Sequence, residues 1–385
     1  MAQKFFEILP AETKINFVKI FNHLFAISSV AVLLSLVSLA TRGLNYGVDF
    51  RGGTEMHVRF SSLPTAEKVR EILKPVGLSD AMVQGIGEKG SGEFLIRVES
   101  YEINLEKYKA ELERGIQSAS PAPDAKGKIR FSEDRMYVTF GREVSPDTLK
   151  ETISSLEISD LRVDSVSPFG KASDYEWLVQ FAGVSTRMVD AFQGAFGKGN
   201  FEVMQVEQVG PKAGAELRKQ ALGAVIISLF FILIYVWFRF DFVFAPGATL
   251  SLVHDTVVVL GLFSLFQWTF DLSIVAAVLT IVGYSINDTI VLYDRVRENL
   301  RKVSDPDLPK VLNLSINQTL ARTVLTSFTV LIASLTLIVL GGPITHNFAL
   351  AFTIGILVGS YSSAFVAAPI TVYLNRYMQR KKLAA

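Results

Sequence analysis

The chain has 385 residues, half of them hydrophobic, with a net charge of +1 and a mean hydropathy of +0.35. So neutral and apolar a balance excludes nucleic-acid binding driven by excess cation and points to a membrane protein with a sizeable water-soluble portion. The absence of cysteine removes disulfides and thiol chemistry without deciding the compartment.

Residues 1–21, with Lys4, Lys14 and Lys19, precede a first apolar stretch at 22–41. It reads as a retained anchor rather than a cleaved signal peptide, because its roughly eighteen apolar residues exceed a usual h-region and no clear small-x-small cleavage site follows. From 42 to 210 short alternating runs are interleaved with helix-like stretches. Residues 55–60 alternate like a half-buried strand, 64–73 have helical spacing, 81–86 and 94–98 read as strands and 105–116 as a helix. The order recurs at 135–140, 146–156, 161–166, 177–181 and 186–196, with a further strand at 201–209. Residues 118–128, rich in Pro, Ala, Gly and charge, suit a linker. Two ferredoxin-like α+β modules in tandem, about 45–117 and 130–208, are expected; coincident strand patterning is the rival reading.

Five more apolar stretches follow, at 219–238, 245–267, 272–294, 318–340 and 346–373. Each of the six can cross a hydrocarbon core of ~30 Å at ~1.5 Å per residue. The expected fold is thus a polytopic α-helical membrane protein with six transmembrane helices and an α+β domain between the first and second. Arg239 follows the second span, Arg295, Arg297, Arg301, Lys302 and Lys310 the fourth, and the tail at 374–385 carries Arg376, Arg380, Lys381 and Lys382. The opposite turns, 267–271 and 341–346, carry no Lys or Arg. The positive-inside rule then places both termini in the cytoplasm and 42–210 outside.

Asp288 lies deep in an apolar stretch, where a carboxylate costs several kcal/mol unless neutralised, paired or wetted, so it is the leading functional residue. Arg322 in the fifth span is a candidate partner, and His254 with Asp255 lies inside the third. Helical counting puts all four toward the inner leaflet. Asn287, Tyr284 and Thr326 extend a candidate polar or proton pathway. Blander readings stand beside these: Arg322 snorkelling to the interface, His254 and Asp255 pairing locally, and the threonines at 319, 326, 329 and 336 bonding to carbonyls of their own helix or packing between helices.

The sixth span repeats small residues at Ala351, Gly355, Gly359, Ser363 and Ala367, a ridge for close helix contact within the chain or between subunits. Asp49, Gly52, Gly53, Gly210 and Pro211 mark the junctions between spans and outer domain. No phosphate-binding loop follows Gly52 and Gly53, and four histidines without cysteine make no convincing zinc cluster. No cofactor, metal or enzymatic activity is therefore expected.

Four motifs occur in order: Asn45-Tyr-Gly-Val-Asp-Phe-Arg-Gly-Gly-Thr54, Val206-Glu-Gln-Val-Gly-Pro-Lys-Ala-Gly-Ala-Glu-Leu217, Ile281-Val-Gly-Tyr-Ser-Ile-Asn-Asp-Thr-Ile-Val-Leu-Tyr-Asp-Arg-Val-Arg-Glu-Asn299 and Asn317-Gln-Thr-Leu-Ala-Arg-Thr323. With them the chain resembles the SecF family of bacterial protein-export membrane subunits. The resemblance implies a half-transporter of the resistance-nodulation-division type in the bacterial inner membrane, with its large loop periplasmic. Its implied partners are SecD, the SecYEG channel with YajC and YidC, and preprotein driven by the motor SecA. It also implies that Asp288 and Arg322 are linked to proton movement. The segment between the first two spans is longer than the usual family domain by roughly one module. A proton-coupled exporter of small molecules or lipids, or an assembly subunit whose buried charges only set packing, are the alternative functions.

Overall fold

The computed structural model describes residues 13–86, 90–99, 105–119, 128–132, 135–140, 144–156, 158, 161–171, 175–302 and 307–384. Lys4 and residues 120–127 of the expected linker lie outside them. Helix α1 (Phe21–Thr41) leads to strand β1 (Asn45–Tyr46) and the one-turn helix α2 (Val48–Arg51). Next come β2 (Gly53–Phe60), α3 (Ala66–Leu73), β3 (Met82–Ile86), β4 (Glu93–Glu99), α4 (Lys109–Ala119) and β5 (Lys128–Ser132). The same order repeats in β6 (Arg135–Thr139), α5 (Pro146–Ser154), β7 (Val163–Phe169), β8 (Glu176–Phe181), α6 (Val184–Phe196) and β9 (Phe201–Val209). Then follow α7 (Pro211–Arg239), α8 (Ala245–Phe266), β10 (Thr269–Phe270), α9 (Leu272–Lys302), α10 (Leu308–Leu340), α11 (Gly342–Ser362) and α12 (Ala368–Ala384), the last two joined by a π-helical turn, Ser363–Ala367. The chain divides into two units, residues 1–50 with 213–385, and residues 51–212.

Six helices in the first unit are long and apolar enough to cross a membrane: α1, α7, α8, α9, α10 and the continuous α11–α12. Several outrun the apolar stretches, because hydropathy marks only the part that lipid can hold, whereas a helix continues into water wherever polar pairs support it. Past Asp294, α9 runs on to Lys302, carried by Arg295 with Glu298 and Glu298 with Lys302, at 2.6 and 2.7 Å and helical i,i+3 and i,i+4 spacing. Helix α10 begins ten residues before the apolar stretch, at Leu308, with Pro in its first turn. On that extension Asn313 and Asn317 accept from the backbone N–H groups of Phe17 and Ile15, at 2.8 Å each, fastening the segment ahead of α1.

Packing here inverts the rule for soluble proteins. Of the four buried positions on α1, Phe21, Ser28, Ser35 and Ser38, three are serines, while Leu33, Leu34 and Val37 are exposed. Small side chains let helices approach in a solvent as apolar as leucine itself. Gly261 of α8 faces Ser35, and Ser38 shares a 2.9 Å hydrogen bond with Ser264.

The second unit holds two four-stranded antiparallel sheets, ordered β3-β4-β2-β9 and β5-β6-β8-β7. In sequence the elements read βαββαβ twice, yet the modules are not the consecutive blocks 45–117 and 130–208 that this repeat suggests. Val184, Met188 and Phe192 of α6 pack with Met56, Val58 and Phe60 of β2, and β9 pairs with β2, completing the first module. Leu112 and Ile116 of α4 pack with Met136 and Val138 of β6, and β5 pairs with β6, completing the second. Each helix-strand pair thus finishes the other repeat's sheet. The reason is local: only Glu133 and Asp134 separate β5 from β6, and so short a link commits the two strands to an antiparallel pair. Strand β5 then carries α4 with it, and the vacant edge of β2 is filled by β9.

Candidate functional site

Among the described residues of the membrane unit two aspartates are buried, and their surroundings differ sharply. Asp255, on α8, is fully buried and saturated with donors. Its Oδ1 lies 2.8 Å from His254 Nδ1, and its Oδ2 accepts from Ser285 of α9 at 2.5 Å and from Ser362 of α11 at 2.8 Å. His254 is therefore one partner among three, and Asp255 ties three helices together. Asp288, on α9, is 5% exposed, and its Oδ2 has no hydrogen-bond partner. The charge acting on it is that of Arg322 on α10, but no ion pair within 4.0 Å joins them. A buried carboxylate oxygen without a partner is costly, whereas a neutral carboxyl is far cheaper to bury. The cost of burying Asp288 thus depends on its own protonation.

Helix α9 lies against α11 because α11 presents glycine. A Cβ on Gly355 would run into the Ile281 side chain, and one on Gly359 would sit 3.1 Å from Ser285 Cβ. The small-residue ridge is therefore an internal contact, and that closeness brings Ser285 and Ser362 onto one carboxylate. One residue further on, Ser363 Oγ meets Thr289 Oγ1 at 3.1 Å. Ser363 opens the π-helical turn, a wider coil found disproportionately at functional sites in helical proteins. Lower on the same face of α9, Tyr293 is fully buried and bonds Thr371 at 2.8 Å.

The other expected pathway residues separate. Tyr284 donates to Ser327 at 3.2 Å, and Ser327 is bonded to Ser360, so this hydroxyl line joins α9, α10 and α11. Asn287 faces outward and is exposed, because one helical step of about 100° carries it away from the face of Asp288. Thr326 is exposed and donates to the carbonyls of Arg322 and Thr323, and Thr319, Thr329 and Thr336 likewise bond their own helix. The threonine stripe is accordingly satisfied locally. Arg322, exposed on this chain, is the one basic member of that stripe. Among these four ionisable groups His254 is bonded to Asp255 and the charge of Arg322 acts on Asp288, and no hydrogen bond or ion pair links one pair to the other among the described residues. Sequence reasoning gave no role to Ser285, Thr289 and Ser362 and read Ser363 only as part of the packing ridge, since isolated hydroxyls in a membrane helix carry no signal until their partners are known.

The junction residues have structural duties. Asp49, in α2, accepts from the Leu272 N–H at 2.8 Å, capping the first turn of the helix that carries Asp288. Gly52 has φ +79°, and a Cβ there would lie 2.8 Å from Pro211 Cα, so glycine is required where the two chain crossings pass. Gly53 opens β2 opposite Val209, Gly210 follows β9, and Pro211 starts α7. Asp49→Ala is expected to lower the unfolding free energy by about 1 kcal/mol, the usual worth of a side-chain cap, read from thermal unfolding of the purified protein. No loss would show that the backbone alone holds this turn.

Comparison with known proteins bears on the same segments. The family model of the SecD/SecF protein export membrane proteins, C-terminal part, matches residues 189–377, and that of the SecD/SecF GG motif matches 37–62. The protein translocase subunit SecF of Koribacter versatilis is 34% identical over 97% of this chain and 95% of its own length. That of Pseudomonas aeruginosa is 33% identical over 94% and 92%. The crystal structure of SecDF, a translocon-associated membrane protein from Thermus thermophilus, aligns with a TM-score of 0.64 at 28% identity over 96% of this chain. The chain spans 40% of the length of that SecDF protein.

Proposed function

The chain belongs to the SecF family of protein translocase subunits, and from that premise we propose that it pairs with SecD in the cytoplasmic membrane and uses the proton motive force to promote protein export. Asp288 carries this reading, as a buried carboxylate with an oxygen left unpartnered and a single cation acting on it from the neighbouring helix. Ionised, it attracts Arg322 across α9 and α10. Protonated, it loses that attraction and can be buried more cheaply, so proton uptake from one side and release to the other alternates two helix arrangements. Each elementary charge moved across the membrane is worth about 2.3 kcal/mol per 100 mV, enough to bias such an equilibrium. A displacement of α9 reaches Asp49 through the Leu272 cap, two residues ahead of the inter-span unit. With both termini cytoplasmic, that unit lies outside the membrane, where it acts on the emerging polypeptide. No covalent step is involved.

The test is preprotein export into vesicles holding SecYEG, SecD and this chain, driven by SecA with and without an imposed proton gradient. Export is expected to rise with the gradient only when both SecD and this chain are present. A gradient response that survives omission of the chain would remove it from the coupling step.

A further inference from the structure

Beyond the buried acids, a cavity of about 450 Å³ lies between the end of α7 and the last turns of α9, lined by Arg239, Asp294, Arg297, Glu298, Arg301 and Lys302. Four cations meet two carboxylates there, and the carboxylates are already engaged. Asp294 receives Arg239 at 2.6 Å on both oxygens, and Glu298 receives Lys302 and, from outside the cavity, Arg295. Arg297 reaches only as far as Asp241, at 3.9 Å, and Arg301 has no ion pair among the described residues. The cavity therefore keeps two guanidinium groups in excess of its own anions.

Its depth is marked by aromatics. Immediately before Arg239 stand Trp237 and Phe238, and the following turn carries Phe242; these are 47%, 89% and 70% exposed, with Trp237 edge-on to Phe242. Exposed aromatics at the end of an apolar helix sit at the level of lipid headgroups. Phe240 and Phe244 pack on Tyr293 and hold this turn against α9, so the rim is built in rather than loose. Above it the apolar face of α7, with Phe230, Phe231 and Ile234, is exposed along its length and offers a bed for acyl chains.

We propose that this cavity binds the phosphate of an anionic glycerophospholipid, with Arg297 and Arg301 as the phosphate ligands and Trp237, Phe238 and Phe242 alongside the glycerol and upper acyl carbons. Planar guanidinium forks suit phosphate oxygens, and basic pockets between membrane helices are favoured sites for anionic headgroups. A bound lipid would fix the ends of α7 and α9 to one leaflet, giving α9 a fixed end against which its other parts move.

The test is native mass spectrometry of the full-length protein with added phosphatidylglycerol, phosphatidylcholine or inorganic phosphate. Phosphatidylglycerol is expected to bind at least tenfold more tightly than phosphatidylcholine. Arg301→Gln, which breaks no ion pair, should cut that preference roughly fivefold, the worth of one cation at a membrane surface, and Arg297→Gln with Arg301→Gln should abolish it. Lys310→Gln, which removes an exposed cation paired with Asp307 outside the cavity, should leave it unchanged. Equal affinity for the two lipids, or a preference that survives the double variant or falls equally in Lys310→Gln, overturns the proposal. Displacement of the lipid by inorganic phosphate overturns it too, since the site would then belong to a soluble anion.

Discussion

Asp288→Asn is expected to abolish the gradient-dependent part of export while leaving membrane insertion and assembly intact. Asparagine has nearly the same shape but carries no proton that can be given up, and the oxygen it alters has no hydrogen-bond partner to lose. Removing a charge from a buried position spares desolvation, so the variant should unfold no more easily than the wild type. Asp288→Glu should keep part of the response, because a titratable group remains at a displaced position. Arg322→Lys should fall below wild type if the planar guanidinium matters to the pair. The measurement is export with and without an imposed gradient in vesicles containing equal amounts of assembled complex. An undiminished response in the asparagine variant would reject Asp288 as the coupling carboxylate and transfer the role to Asp255.

Asp255→Ala is expected to show the opposite pattern, a large loss of stability. His254 and Ser285 would lose this acceptor in a buried place, and Ser362 would keep only the Gly359 carbonyl of its own helix. Hydrogen bonds between membrane helices are worth about 0.6 to 1.7 kcal/mol apiece, so losing the two to Ser285 and Ser362 together with the His254 contact should cost on the order of 3 kcal/mol. Asp255→Asn, which still accepts on one oxygen, should lose less. Thermal or denaturant unfolding of the purified protein reads both. If Asp255→Ala proves as stable as the wild type yet loses the gradient response, Asp255 is a coupling acid and not a tie between helices.

The contrast between these two acids shows where sequence reading stops. Both stand out in sequence, because an acid in an apolar stretch is conspicuous whatever surrounds it. Their separation into a saturated tie and an orphaned carboxylate depends on Ser285, thirty residues from Asp255, and Ser362, over a hundred away. Thr326 and Asn287 mark the same limit: a threonine can satisfy itself on its own helix, and one helical step turns a neighbour of Asp288 out of the bundle.

By itself the sequence determined the six apolar helices and nearly every strand of the inter-span unit, because hydropathy and the periods of 2 and 3.6 are properties of consecutive residues. Strand β5 escaped, hidden at the end of a stretch with linker composition. Only the tertiary structure decided which elements share a sheet. The repeat βαββαβ is legible twice, but α4 with β5 and α6 with β9 cross to the other module, since a two-residue link between β5 and β6 outweighs the sequential pairing. It also decided which buried polar groups are satisfied, because a donor or acceptor finds its partner across helices distant in the chain, where local pattern carries no information.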